Sequence, residues 1–162
     1  MTLTSSDIQA GMAMSKTHEF NGFGCTGENV SPQLSWHDAP EGTKSFAITA
    51  YDPDAPTGSG WWHWVVANIP AKVTSLPTGA GSADSSAMPR GSQTFKSDYG
   101  SQAFGGACPP KGDNAHRYQF KVFALNVERL ELDENSSAAL VGYFLHAHAI
   151  ETATLEATYA RP

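Results

Sequence analysis

The chain has 162 residues, a charged fraction of 16% and a formal net charge of −6, which predicts a single domain, 1–162, with a core of its own. Its 15 Gly and 10 Pro beside 40% hydrophobic residues point to short elements joined by many turns, a mainly β protein, and argue against long charged surface helices. No Lys/Arg cluster supplies the positive charge that phosphate backbones require, so nucleic acid is excluded as a partner.

No apolar run reaches membrane-spanning length, so no membrane insertion is expected. Met1 to Asp7 has neither the basic nor the apolar region of a signal peptide, and the chain reads as soluble and cytoplasmic. Cys25 and Cys108 are too few for a disulfide framework and lack metal-site spacing; in a reducing cytosol both are expected as thiols.

In chain order, residues 7–24 predict a short strand and an irregular arm, and Cys25 to Pro32 a loop by its Gly, Asn and Pro content. Gln33 to Trp36 reads as a short strand. Phe46, Ile48 and Ala50 then alternate with Ala47, Thr49 and Tyr51, a strand that runs into Asp52-Pro53-Asp54-Ala55-Pro56. Each proline restrains the residue before it, so Asp52 is held in place, and a cis bond is open to either X-Pro pair.

Trp61 to Ile69 is apolar on both faces, as in a strand covered on both sides, with His63 sharing a face with Trp61, Val65 and Ala67. Residues 71–101 form a long Gly/Ser/Pro-rich excursion with one helical turn expected near Ala83 to Met88. After Phe104-Gly105-Gly106-Ala107-Cys108-Pro109-Pro110, whose glycines permit close backbone approach and an anion-binding nest, His116 heads a strand. His116, Tyr118, Phe120, Val122 and Ala124 form its inward face. Asp133 to Ser137 offers helix caps, and a three-turn helix to about His148 follows, its apolar stripe read as Leu140, Phe144 and Ala147 with Val141 and Leu145. A last strand carries Ala153, Leu155, Ala157 and Tyr159 inward.

Asp52, Asp54, His63 and His116 are the polar residues that this pattern sets beside apolar surface. An aspartate in such a loop can simply cap a turn, and a lone histidine on an apolar face is usually a satisfied core residue. Two histidines, each next to a Gly/Pro loop, point instead to a shared pocket. His146 and His148 lie two apart on a helix and do not form a metal pair. His18 and His37 show no partners, and Trp61, Trp62 and Trp64 read as core packing.

Together these stretches carry a resemblance. Asp52-Pro53-Asp54-Ala55-Pro56, Trp61-x-His63-Trp64-Val65-Val66-x-Asn68 and Gly106-x-x-Pro109-Pro110-Lys111-Gly112 with His116-Arg117-Tyr118 are similar to the signature of the phosphatidylethanolamine-binding protein family. Gly24 to Pro32 with Leu34-Ser35-Trp36 resembles its bacterial, Raf-kinase-inhibitor-like branch. The resemblance implies a two-sheet antiparallel β-sandwich with a short C-terminal helical element, and a small cavity for phosphate-type anions or phosphorylated head groups. Carried over by position, Asp52, His63, Gly106, Ala107, Cys108, Pro109, His116 and Tyr118 would line it, with His63 and His116 protonated and Asp52 favouring their charge.

Two departures stand out: Ala107 replaces a proline common in that branch, which would loosen the loop, and Phe104 replaces a tyrosine, which would remove a hydroxyl from the rim. The resemblance also implies a homodimer, a possible inhibitory role toward a kinase or protease, and a Cys25–Cys108 disulfide under oxidising conditions. No cofactor and no metal is expected for a binding protein of this kind. The competing expectations are a hydrolase or metal enzyme, since one carboxylate and two imidazoles also make a facial triad, and a purely structural subunit.

Overall fold

Alternating apolar and polar residues yield ten strands in the computed structural model, which describes residues 1–162. They are β1 (Thr2–Thr4), β2 (Asn21–Gly22), β3 (Cys25–Thr26), β4 (Leu34–His37), β5 (Ser45–Asp52), β6 (Trp61–Pro70), β7 (Ser75–Leu76), β8 (Gln93–Thr94), β9 (His116–Leu125) and β10 (Ala149–Tyr159). One α-helix, α1 (Ala138–His148), precedes β10. An antiparallel five-stranded sheet, ordered β10-β9-β5-β6-β8, faces a three-stranded sheet, β1-β4-β7, and β2 and β3 form a separate hairpin.

The sandwich interior follows the predicted alternation. Phe46, Ile48 and Ala50 of β5, Tyr118, Phe120 and Val122 of β9, and Leu155 and Ala157 of β10 meet Leu3, Leu34, Trp36 and Leu76 from the small sheet. The opposite face of the large sheet, with Ala47, Phe123 and Leu125, is closed by Ala138, Val141 and Leu145 of α1. Each Val, Leu, Ile or Phe among them contributes about 1.5–3 kcal/mol when fully buried, and each Ala considerably less. The helix starts where expected, Ser137 Oγ accepting from the Leu140 amide at 3.0 Å. Its inward stripe differs from expectation: Ala138, Val141, Gly142 and Leu145 are buried, whereas Leu140 and Ala147 face solvent. The buried set is thus an i, i+3, i+4, i+7 stripe anchored on Ala138, one residue wide of the expected one.

β6 departs from simple alternation. Ala50 pairs with Trp64 and Tyr51 with Trp62, so His63 is the extra residue of a bulge. His63 consequently parts company with Val65 and Ala67, which pack under the helix, while Trp64 and Val66 enter the sandwich. A second bulge lies between Val66 and Ile69, where Asn68 has φ +61° and bonds Leu130 through both side-chain atoms. The excursion over 71–101 supplies β7 and β8 and has no helical turn at 83–88. Ser82 and Ser85 there bond locally, to Asp84 and to the Ala87 amide, and such contacts compete with a helix.

Candidate functional site

The last residue of β5, the start of β6 and the first residue of β9 meet at one end of the large sheet around a cavity of about 320 Å³. Asp52, Trp61, His63, Tyr99, His116 and Tyr118 line its interior; Phe23, Cys108, Pro109, Pro110 and Arg161 are among the residues at its edge. The Asp52–Pro53 and Ala55–Pro56 peptides are trans.

Asp52 has both roles open to it from sequence. One carboxylate oxygen accepts from the Asp54 amide at 2.7 Å, capping the turn, and the other meets His116 Nδ1 at 2.7 Å. Asp54 points the other way, its carboxylate gripping Arg117 at Nε and Nη2, 3.0 and 2.9 Å, and accepting from the Arg117 amide. The Arg117 guanidinium holds the Asp54 carboxyl down at about 2.

Both histidines are 4% exposed, but His63 lies deep in the protein and His116 just under the surface beside an outer groove, and they are differently tuned. His116 meets Asp52 through Nδ1 and Asp113 Oδ2 through Nε2 at 3.0 Å. Burial opposes its charge, but the two carboxylates outweigh burial and push its pKa up. His63 donates from Nδ1 to the Gly105 carbonyl at 2.8 Å. Burial pushes its pKa down, only partly opposed by that carbonyl and by the Asp52 charge. The expectation that Asp52 keeps both rings charged therefore fails for His63, which has a carbonyl rather than a carboxylate as its partner.

Tyr118 is 3% exposed; its hydroxyl lies against the Asp52 carboxylate but makes no well-aligned hydrogen bond in the protein, and the Trp61 indole N–H is buried and unpartnered. Burial, with the Asp52 charge adding to it, pushes the Tyr118 hydroxyl up and keeps its proton in place. The Tyr99 hydroxyl donates to the Gly106 carbonyl at 2.8 Å, and its ring stacks on Phe20 at 3.8 Å. Arg161 is fixed by Nε to the Pro109 carbonyl at 2.7 Å and by Nη1 to the Gly24 carbonyl at 3.5 Å.

Gly106 and Ala107 do not line the cavity, contrary to expectation, and their backbone is no anion nest. The Gly106 amide donates to Asn29 Oδ1 at 2.7 Å and the Ala107 amide to the His18 carbonyl at 3.1 Å. A Cβ on Gly106 would collide with that same carbonyl, so the glycine serves backbone packing and not approach of a ligand. Ala107 does not loosen the loop, because its N–H makes a bond that proline could not make. Phe104 packs edge-on against Trp64 in the core and is not a rim residue.

Cys25 and Cys108 are not thiols but a disulfide, which joins the β2–β3 hairpin to the cavity loop. The hairpin tip, Phe23-Gly24, has positive φ at both residues, +51° and +84°, as a two-residue hairpin turn demands, and sets an exposed Phe23 beside the cavity. His18, expected without a partner, is buried and bonded to the Val30 carbonyl at 2.7 Å. Arg161, Asp113, Tyr99 and Phe23 carry no site signal in the sequence, where Trp61 reads as core packing. The register Tyr159↔His116 places Arg161 just past the strand end beside the site, a signal available only once the strands are paired.

Asp52, His63 and His116 do not present a facial triad. His116 has both nitrogens on carboxylates, and Asp52 gives one oxygen to that ring and one to a turn.

The family model described as phosphatidylethanolamine-binding protein matches residues 4–160. The chain is 57% identical over 157 residues to the UPF0098 protein YbcL of Escherichia coli, covering 97% of this chain and 86% of that protein. It is 49% identical to the UPF0098 protein YbhB of the same organism over 99% of this chain and all of that one. The crystal structure of E. coli YbcL, described as a new member of the mammalian PEBP family, superposes with a TM-score of 0.97 over 99% of this chain and 98% of that one at 55% identity.

Proposed function

The chain belongs to the phosphatidylethanolamine-binding protein family, and from that premise we propose that it is a non-enzymatic binding protein whose cavity takes a small oxyanion, phosphate or the phosphorylated head group of a larger ligand. The buried Tyr118 hydroxyl carries this proposal. A buried donor without a well-aligned acceptor costs free energy, and a ligand oxygen supplies that acceptor. The Trp61 N–H is a second such donor, the Arg161 guanidinium brings a positive charge to the edge, and a volume of about 320 Å³ suits a small ligand.

His63 adds a proton step. An oxyanion beside it favours the charged ring, so binding draws a proton onto a histidine that burial holds low in the free protein. Affinity should rise as pH falls from the value of the bound form toward the depressed value of the free form, and level off below it. Calorimetry with sulfate, whose charge is constant over about pH 5–8, isolates the titration of the protein from that of the ligand. His63→Ala and Tyr118→Phe should each weaken phosphate and sulfate by about tenfold or more while the fold survives. Affinity unchanged in both variants would move the site elsewhere.

Cys108 is tied in the disulfide and offers no nucleophile, which supports binding without chemistry on the anion. A phosphorylated protein side chain presents the same oxyanion, and on that ground modulation of a kinase or protease extends the proposal, with exposed Phe23 as a first contact. A second copy of the chain would meet the exposed Leu140, Tyr143 and Ile150, a proposal that light scattering tests. No helix is long and apolar enough to cross a membrane. The disulfide is of a kind that persists in oxidising compartments, so fractionation that finds the protein in the cytosol with free thiols would count against its role at the cavity edge.

A further inference from the structure

We propose that Asp113 is a positioning residue that sets the charge of the cavity wall through His116, and thereby the strength and pH range of oxyanion binding. This rests on the cavity being an anion site. His116 is 4% exposed and stands between the cavity and a shallow outer groove that includes Asp54, Asp113 and Arg117. Its Nδ1 meets Asp52 at 2.7 Å on one side, and its Nε2 meets Asp113 at 3.0 Å on the other. Carboxylates only accept, so neither neutral tautomer satisfies both contacts; the ring that fits has two N–H groups and a positive charge.

The two acids differ in their surroundings. The Asp52 side chain is 3% exposed and the Asp113 side chain 42%, so one end of the three-residue group is sealed and the other is in water. With the ring doubly protonated and both acids ionised, two negative charges and one positive give the group a net charge of −1. The other charged and titratable groups around His116 leave that balance alone. Asp54 is taken by Arg117, Tyr118 stacks at 6.5 Å with its proton held, His63 is pressed toward its neutral form, and Arg161 lies at the cavity edge.

Backbone geometry delivers Asp113 to this position. Its amide donates to the Pro110 carbonyl at 3.2 Å, closing a turn through Gly112 at φ +86°, a conformation open to glycine. The Gly112 amide in turn donates to the Arg161 carbonyl at 3.2 Å, tying the turn to the chain that carries the edge cation.

Asp113 therefore has two opposed effects. Its charge keeps His116 protonated to higher pH, and the same charge repels an oxyanion in the cavity. Asp113→Asn keeps an acceptor for Nε2 and removes only the charge. On the acid side, where His116 stays charged in both proteins, the variant should bind sulfate about fivefold more tightly, the scale of one partly screened charge at this range. As pH rises, its affinity should fall earlier than that of the unsubstituted protein, so the two profiles cross. Asp113→Glu, which retains the charge, should lie nearer the unsubstituted profile.

Ring-proton NMR of His116 and sulfate calorimetry on the full chain, both across about pH 5–8, test this. The expected result is a lower His116 midpoint in Asp113→Asn together with crossing affinity profiles. A His116 midpoint unmoved by the substitution overturns the proposal whether or not sulfate binds, and so does a moved midpoint with superimposable sulfate profiles. Failure of the unsubstituted protein to bind either sulfate or phosphate overturns the anion reading and the binding half of this proposal together, while the NMR midpoint still decides whether Asp113 governs His116.

Discussion

Two ion pairs join the same loop to the same strand. Asp52 meets His116 and Asp54 meets Arg117, yet the side chains of the first pair are 3% and 4% exposed and those of the second 30% and 51%. Alternation along β9 turns His116 inward and Arg117 outward, and the Asp52-Pro53-Asp54 turn does the same for the two acids. One pair becomes part of the cavity wall and the other a brace on its outside. Chemistry alone does not separate them; burial does.

Their pH windows also run in opposite directions. The His116 pKa is raised on folding, so its contribution is fully present below the unfolded value near 6.5 and is lost as pH climbs through the folded value. The Asp54 pKa is depressed from 3.8 to about 2, so its contribution is present above 3.8 and is lost as pH falls through about 2.

The largest perturbation supplies a reference that should ignore this contrast. Cys25→Ser with Cys108→Ser opens a bridge between residues 83 apart, and chain entropy puts the loss near about 4.5 kcal/mol. Neither pair uses these residues, so urea unfolding should show the same loss at mildly acidic and mildly alkaline pH; a loss that varied strongly with pH would mean that the disulfide holds the inner pair in place. Next in size, Asp52→Ala strands a buried imidazole and should cost about 3 kcal/mol. That deficit should be greatest at mildly acidic pH and shrink as pH rises through the His116 value. A deficit that grew with pH would show that the inner pair is not charged.

Much of this arrangement was legible in the sequence. The alternations in β5, β9 and β10 depend on period two alone, and they assigned Phe46, Tyr118 and Leu155 to the interior correctly. Ser137 announced the helix start through its hydroxyl. The bulge at His63 was not legible, because a bulge is defined by the partner strand and Trp61 to Ile69 is apolar on both faces in any register. Arg161 and Asp113 were missed for a related reason. Arg161 acquires its role only when the β9 and β10 ends meet, and Asp113 reaches His116, three residues on, only through the turn closed on the Pro110 carbonyl, whose shape no regular period announces. The Cys25–Cys108 bond depends on the hairpin folding back over the cavity loop, a contact across 83 residues that composition does not encode.

The smallest prediction bears most directly on the contrast. Arg117→Ala removes a bidentate partner from Asp54 but leaves both groups reachable by water, and solvent screening makes exposed pairs of this kind contribute little. The Asp54 carboxylate also keeps its bond from the residue 117 amide, 2.9 Å long, which an alanine still donates. Urea midpoints should therefore shift only slightly near neutral pH, and the difference from the unsubstituted protein should vanish toward about pH 2, where the carboxylate takes up its proton. A cost near that of Asp52→Ala would mean that the loop strand geometry, and not burial, sets the strength of both pairs. In that case the outer pair would be holding Asp52 in register for His116, and Arg117→Ala should then also lower the His116 midpoint.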